Sequence, residues 1–400
     1  MSFRSSVIQP QQRLYYIDWL RVLAMFGIFF FHNSRFYDSF SDWHVKNATN
    51  NLGATIFVGF ASLWIMPLFF LIAGAGTCLA MKTRNAGQYA LERTMRLLVP
   101  LIFGMLVIVV PQAYYQAIFH GTNLSQYNFF QIYGLYLGTL PQLQWFHLWF
   151  LVDLFVFSIV LIPLFISWKK GDKSVVARLA EVVDKPWALL LVLIVPIILI
   201  DTFVYPAGYW GDRMSNGGWN IITYVWFFVS GYLLFANNRI IETIKKLTWV
   251  LLGTASVAGM SAVAFFLDQL ANPAPHYGSA SFAIAQVLQA IGVWGFLLAF
   301  LGLTGRFLNF SNKFLSYANE AVLPFYVLHQ TVIISIGFYV VQWSMGVGLK
   351  YLVISTTSFA VIMLIYELLV RRINVLRFLF GMRIKRRHPS VLATESPRQT

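Results

Sequence analysis

Cysteine and charge are what this 400-residue chain is short of. Cys78 is its one cysteine, which excludes an intrachain disulfide and any metal site built on several thiolates. Charged residues make up 11% of the chain, less than half the ~25% of an ordinary soluble domain. With 58% hydrophobic residues and a mean hydropathy of +0.67, a soluble fold is excluded. Acidic residues are the scarcer sign, 15 against 29 Lys and Arg, for a net charge of +14. The basic residues lie in short segments between apolar runs, a pattern of membrane topology that argues against a nucleic-acid partner. No histidine pair or carboxylate cluster has metal-ligand spacing, so no metal and no bound cofactor are expected. The first apolar run is too long for a signal peptide and lacks a small-residue cleavage site, so no cleavable signal is expected.

What the chain has in quantity is apolar runs long enough to span a bilayer. Ten are legible, at 15–37, 54–80, 97–119, 145–167, 186–204, 219–236, 248–270, 281–304, 318–342 and 350–370. The sequence therefore predicts an all-α, polytopic membrane protein, a bundle of about ten transmembrane helices forming one domain over 15–372. A short N-terminal segment (1–14) precedes it, and a basic, partly disordered tail (373–400) follows. Lys and Arg fall on one side 24 times, against four on the other (Arg35, Lys46, Arg213, Lys350), with Arg21 inside the membrane. Basic loops stay cytoplasmic, so both termini are expected inside, in a multi-pass protein of the cell (inner) membrane.

The opposite loops have another character. Residues 120–144 hold no Lys, Arg, Asp or Glu but carry Tyr127, Tyr133, Tyr136, Gln131, Gln142, Gln144 and Trp145. Residues 205–220 add Tyr205, Tyr209, Trp210, Asp212, Arg213 and Trp219. Amides beside aromatic faces suit an uncharged polyhydroxylated ligand, and an interfacial aromatic belt has the same composition.

The first run carries three ionisable residues that lipid would reject: Asp18, Arg21 and His32. Arg21 and His32 are eleven positions apart, which puts them within roughly 20° on a helix and about 16 Å apart along its axis. Asp18 lies within about 60° of both. Charges inside a spanning helix face protein or water, so this stripe points inward, and His32 can serve as a general base near neutral pH. A histidine hydrogen-bonded to a neighbouring helix for structure alone is the other reading.

Four further signals stand out. Arg93 and Arg96, at i and i+3 where the third helix is expected to begin, share a face and a helix N-terminus that favours anions. Arginine suits phosphate through its bidentate fork, though loop arginines also follow from topology alone. Gly74 and Gly76 close the second helix with small residues that permit close helix packing. His147 and Trp149 open the fourth helix, with Asp153 one turn in. Glu320, Pro324, Tyr326 and His329 lie on the ninth, with Glu320 and His329 on opposite faces unless Pro324 kinks it. His329 is the better candidate to face a cavity.

Taken in order, these elements resemble the acyltransferase 3 family of integral membrane acyltransferases. The first-helix arginine, ten residues and a histidine (Arg21–His32) match the family pattern, as does the RxxR element (Arg93–Arg96). The FFLIAG run, the HLWFL opening and the YVLH segment ending at His329 are also similar to family signatures. The similarity covers nearly all of 12–372, and its flavour is that of the branch containing periplasmic glucan succinyltransferases. The resemblance implies transfer of an acyl group, such as acetyl or succinyl, from a cytoplasmic acyl-CoA, used as donor substrate. The acceptor it implies is a hydroxyl of an envelope glycan, lipid or secondary metabolite. It places His32, Arg21 and Asp18 in catalysis, with His32 as base or acyl carrier, and Arg93 and Arg96 at the CoA phosphates. His147, Trp149, Tyr326, His329 and Glu320 are then candidates for contact with substrate. A secondary transporter of a glycan or lipid precursor is the rival class, but no inverted repeat or pair of broken helices is legible.

Overall fold

The computed structural model describes residues 13–40, 42–140, 145–169, 185–204, 217–272 and 279–385. Among them every regular element is helical: α1 (Tyr15–Ser34), α2 (Leu52–Met81), α3 (Ala86–Ile108), α4 (Val110–Phe119), α5 (Phe129–Thr139), α6 (Phe146–Val160) and α7 (Ile162–Trp168), then α8 (Pro186–Phe203), α9 (Ile221–Ala236), α10 (Asn238–Ala271), α11 (Ala280–Phe307), α12 (Lys313–Val340), α13 (Val347–Val370) and the short α14 (Asn374–Leu379).

The chain is an all-α, multi-pass membrane protein. Six of these helices (α2, α8, α10, α11, α12 and α13) are long and apolar enough to cross a membrane. The number rises to eight if each bent pair is one span, α3 with α4 at 45° and α6 with α7 at 46°. The two other expected segments are helical too, as α1 of 20 residues and α9 of 16.

Asparagine sets many of the starts, because its side chain can accept a hydrogen bond from an otherwise orphaned backbone N–H. Asn51, Asn220 and Asn312 cap α2, α9 and α12 in this way. Three starts depart from expectation, one of them that of α10, which begins at Asn238 rather than 248 behind a cap from Asn237. The third helix begins at Ala86 rather than 97, behind a capping box in which Asn85 and Gln88 bond reciprocally. The segment 120–144, read as a loop, contains α5 behind the same device, Asn128 with Gln131. Because α3 starts so early, Arg93 and Arg96 lie within the helix, in and beside a π-turn at Thr94–Leu98. They have no free helix N-terminus beside them, contrary to expectation, so anion binding there rests on the guanidinium groups alone.

Helix α1 packs against α2, α11, α12 and α13. Its buried residues, among them Leu20, Ala24, Ile28 and Phe29, join one continuous apolar core. Pro324 sits inside α12 without ending it. Of the expected tail, α14 and Phe380 pack onto α3, with the Phe380 and Phe103 rings 5.4 Å apart. Residues 386–400, expected to be disordered, lie outside the described residues, as do Gln142, Gln144, Tyr205, Tyr209, Trp210, Asp212 and Arg213.

Candidate functional site

A cavity of about 570 Å³ opens where α1 ends. Its wall includes His32 and Trp43, then Trp145, His147 and Trp149 from the start of α6, and Tyr326 and Gln330 from α12. Four of the expected site residues (His32, His147, Trp149 and Tyr326) thus share one wall, although they come from three parts of the chain. His329 is fully buried and stands behind that wall, its ring centroid 5.1 Å from that of His32 and 5.2 Å from that of His147.

The side chains are held by few, specific contacts. The His32 ring is stacked on Trp43 at 6.0 Å and 11°. Its Nδ1 is buried and unpartnered, and the ring lines the cavity, so Nε2 is the open edge. The His147 Nε2–H donates to the Val327 carbonyl at 3.1 Å, and the Tyr326 hydroxyl donates to the His147 carbonyl. Residues of α6 and α12 therefore lock each other in place.

The remaining wall is a cap, residues 35–51, pinned at several points. Asp38 accepts from Arg35 at 2.9 Å and lies 3.3 Å from the Lys46 ammonium. Lys350 donates to Asn47 Oδ1 and to the Val341 carbonyl, tying the cap to the α12–α13 turn. In the middle, the His44 Nδ1–H donates to Gln116 Oε1 at 2.7 Å, and its Nε2 accepts from Gln330 at 2.8 Å and Gln112 at 3.2 Å. That pattern requires a neutral imidazole with its proton on Nδ1. Sequence reasoning passed over His44, Trp43 and these glutamines. The only legible signal was Gln112 and Gln116, two amides at i and i+4 in an otherwise apolar and aromatic helix.

Burial pushes the His44 imidazole down to about 4, against the opposing effect of the Gln116 hydrogen bond. Between the free-imidazole value near pH 6.5 and pH 4, the unfolded chain binds a proton that the folded cap does not. Stability therefore falls as the pH falls through this window, by roughly 3 kcal/mol over its whole extent. Thermal unfolding of the detergent-solubilised protein from pH 7 to pH 4.5 checks this. An equally steep acid slope in His44→Asn would show that another group causes it.

At the other end of α1, Arg21 donates from Nη1 to Asp18 Oδ1 at 3.1 Å and to Asn319 Oδ1 at 3.0 Å. Arg13 holds the second Asp18 oxygen at 2.8 Å. Asp18 is thus occupied by two arginines, and Arg21 is oriented by both Asp18 and α12. Arg93 lies over the Tyr89 ring at 5.0 Å, and the Tyr89 hydroxyl shares a 2.8 Å hydrogen bond with Thr77 on α2. Arg96 is exposed and within electrostatic range of Arg21, Arg93 and Arg383. Among the described residues neither Arg93 nor Arg96 makes an ion pair. Glu320 belongs to this end as well, paired with Arg377 at 2.8 Å and with Arg371 at 3.8 Å. It is not on the cavity wall. Among the described residues no group of three His, Cys, Asp or Glu could hold a metal ion, the clustered imidazoles included.

The arrangement offers two facilities on one helix: an imidazole edge open to an aromatic, amide-lined cavity, and a group of arginines about 16 Å away along the axis. An imidazole so placed can take a proton from a bound hydroxyl, and unpaired guanidinium groups can hold an anion.

Residues 14–367 match the family model described as an acyltransferase domain. Proteins called "Glucans biosynthesis protein C" from Salmonella heidelberg (strain SL476), Salmonella agona (strain SL483) and Salmonella enteritidis PT4 are each 25% identical over 385 residues. The matches cover 93% of this chain and 95% of each relative. No solved structure gives a significant match.

Proposed function

Because the chain belongs to the acyltransferase domain family, matched over residues 14–367, we propose that it is a membrane O-acyltransferase working across the bilayer. It moves an acyl group, acetyl, succinyl or similar, from a cytoplasmic acyl-CoA to a hydroxyl of a cell-envelope glycan. The observation that carries this reading is the placement of His32 and the arginine group at opposite ends of α1. Both termini are cytoplasmic in this reading, as the 24 basic residues on one side favour. The arginines then face the compartment that supplies acyl-CoA, and the cavity faces the envelope.

The residues divide the work. Arg93 and Arg96 hold CoA phosphates, for which unpaired guanidinium groups suit. Arg21, oriented by Asp18 and Asn319, meets the donor arm and stabilises the oxyanion that forms at the thioester carbonyl. His32 removes the acceptor proton as its oxygen attacks. The acceptor lies against Trp43, Trp145 and Trp149 and exchanges hydrogen bonds with Gln330. That wall is mostly uncharged, and the relatives are named for glucan biosynthesis, which together favour a neutral sugar over a lipid. His147 and Tyr326 shape the wall from behind, and Glu320 anchors the arginine end of α12 without meeting substrate.

The test is acyl transfer by purified protein in detergent, with labelled acetyl- or succinyl-CoA and a soluble glucan as acceptor. Transfer that depends on both substrates is expected. Arg93→Gln and Arg96→Gln should each raise KM for acyl-CoA about tenfold, the worth of one charge-assisted hydrogen bond, and leave the acceptor KM unchanged. Flux of the glycan into sealed vesicles without any acyl-CoA dependence would replace this reading with a transporter.

A further inference from the structure

Three imidazoles stand side by side at the cavity, and the contacts around them fix where their protons are. His329 Nδ1 lies 2.5 Å from the Tyr326 carbonyl of its own helix. A carbonyl only accepts, so Nδ1 carries the proton and Nε2 carries a lone pair. His329 Nε2 is buried and has no partner among the described residues. The ring is immobilised, fully buried and stacked on Phe325 at 6.3 Å and 11°. Next to it, 5.1 Å between centroids, is His32, whose Nδ1 is likewise buried and unpartnered. His147 donates from Nε2 to a carbonyl, so its Nδ1, unpartnered among the described residues, is a second lone pair, on the ring next to His329. Buried polar atoms are rarely left unmatched. The fixed acceptor of His329 lies next to His32, and among the described residues His32 is the ring whose tautomer no contact sets.

We propose that His329 is a positioning residue for His32. Its Nε2 accepts the His32 Nδ1–H, directly or through one shared water, so that the His32 Nε2 lone pair faces the acceptor hydroxyl. This rests on the acyltransferase reading and adds to it the group that orients the base. In the transfer step the acceptor O–H bond breaks and its proton passes to His32 Nε2. The oxygen bonds to the thioester carbonyl carbon, the C–S bond breaks, and the thiolate leaves to be protonated by His32 or water. Meanwhile the imidazolium keeps its Nδ1 proton, and the His329 lone pair stabilises the charge. A carboxylate plays this part in other base-and-orienter pairs. A neutral imidazole does it here without a second buried charge, which a membrane interior disfavours.

The experiment combines kinetics with the tautomer itself. His329→Leu should lower kcat about a hundredfold with both KM values unchanged, since general-base catalysis is worth ~10²–10⁴. His329→Gln, whose amide oxygen can accept the same proton, should stay within about tenfold of wild type. In protein labelled with ¹⁵N-histidine, the His32 signal, assigned by its loss in His32→Ala, should report Nδ1–H in wild type and lose that preference in His329→Leu. Wild-type kcat in His329→Leu, equal damage in Leu and Gln variants, or a wild-type His32 protonated on Nε2 would each overturn the inference. The Nδ1–H tautomer in a protein that shows no acyl-CoA-dependent transfer would uphold the pairing and overturn the acyltransferase reading alone.

Discussion

Replacing His32 by alanine is expected to lower acyl transfer by about a thousandfold, in the middle of the range a positioned base contributes, while the protein stays folded. The second half of that expectation follows from the structure. His32 makes no hydrogen bond to the backbone among the described residues: its Nδ1 is buried beside His329, the pairing proposed above, and its ring lines the cavity. Alanine is the best helix former, so α1 continues through the change. What is lost is one ring face against Trp43 and the contact with His329, together worth about 1 kcal/mol. The loss should therefore appear in kcat, with the melting temperature nearly unchanged and both KM values close to wild type. Hydrolysis of acyl-CoA by water should fall in parallel, because the same base serves water. A folded His32→Ala protein within tenfold of wild-type kcat would remove His32 from the chemistry and shift attention to His147. An acyl group trapped on wild-type protein incubated with acyl-CoA alone, and absent from His32→Ala, would instead make His32 a covalent carrier.

How much of this was legible in the sequence differs between residues for physical reasons. Arg21 and His32 declared themselves because lipid imposes a large cost on a misplaced polar group, and because helical spacing converts directly into a shared face. The family elements at Arg93–Arg96, His147 and Tyr326–His329 could be named from their order. That His147, Tyr326 and His329 meet His32 could not be read, since the approach of α6 and α12 to α1 is a matter of tertiary packing. His44 was invisible for another reason. A histidine in a polar loop looks solvated until the loop folds back over the cavity and three glutamines from α4 and α12 close on it. Glu320 was misleading in the opposite sense. Its partner Arg377 lies in the segment read as a tail, so the carboxylate looked unpaired and available.

The helix boundaries carry the same lesson in local form. Two of the three starts that were missed, Ala86 and Phe129, have Asn at the cap and Gln three residues on, while the third, Asn238, has only the Asn237 cap. The box is short and polar, and a hydropathy-led reading places such residues in loops. For the first of them the consequence is functional. A helix that starts at Ala86 carries Arg93 and Arg96 two turns inside, so anion binding there depends on their guanidinium groups and not on free backbone N–H groups.

The largest effect on stability is expected at a pair of glycines where α2 and α9 cross. A Cβ on Gly74 would lie 1.9 Å from the Phe228 carbonyl oxygen, and one on Gly231 would lie 2.0 Å from that of Leu71. Each glycine rests on the backbone of the other helix, so no side-chain rotation can relieve the clash. Gly231→Ala must push the helices apart by more than 1 Å along a fully packed seam, where Phe70, Phe228 and Leu234 are entirely buried. Overpacking costs of 1–3 kcal/mol assume that side chains can yield. Here the expected cost is at or above the upper end, roughly 3 kcal/mol or more, and Gly231→Val should give no monodisperse protein. Gly253 on α10 supplies the control, since a Cβ there meets nothing within 4 Å. Gly253→Ala should raise stability by up to about 1 kcal/mol through helix propensity alone. Thermal unfolding and gel-filtration profiles in one detergent compare the two, and equal melting temperatures for Gly231→Ala and Gly253→Ala would refute the crossing. The consequence reaches the cavity, because α2 also carries Ile65 and Met66 on its wall. A separation at Gly74 and Gly231 should therefore raise the acceptor KM before it changes the donor KM. A purely local clash would leave both untouched.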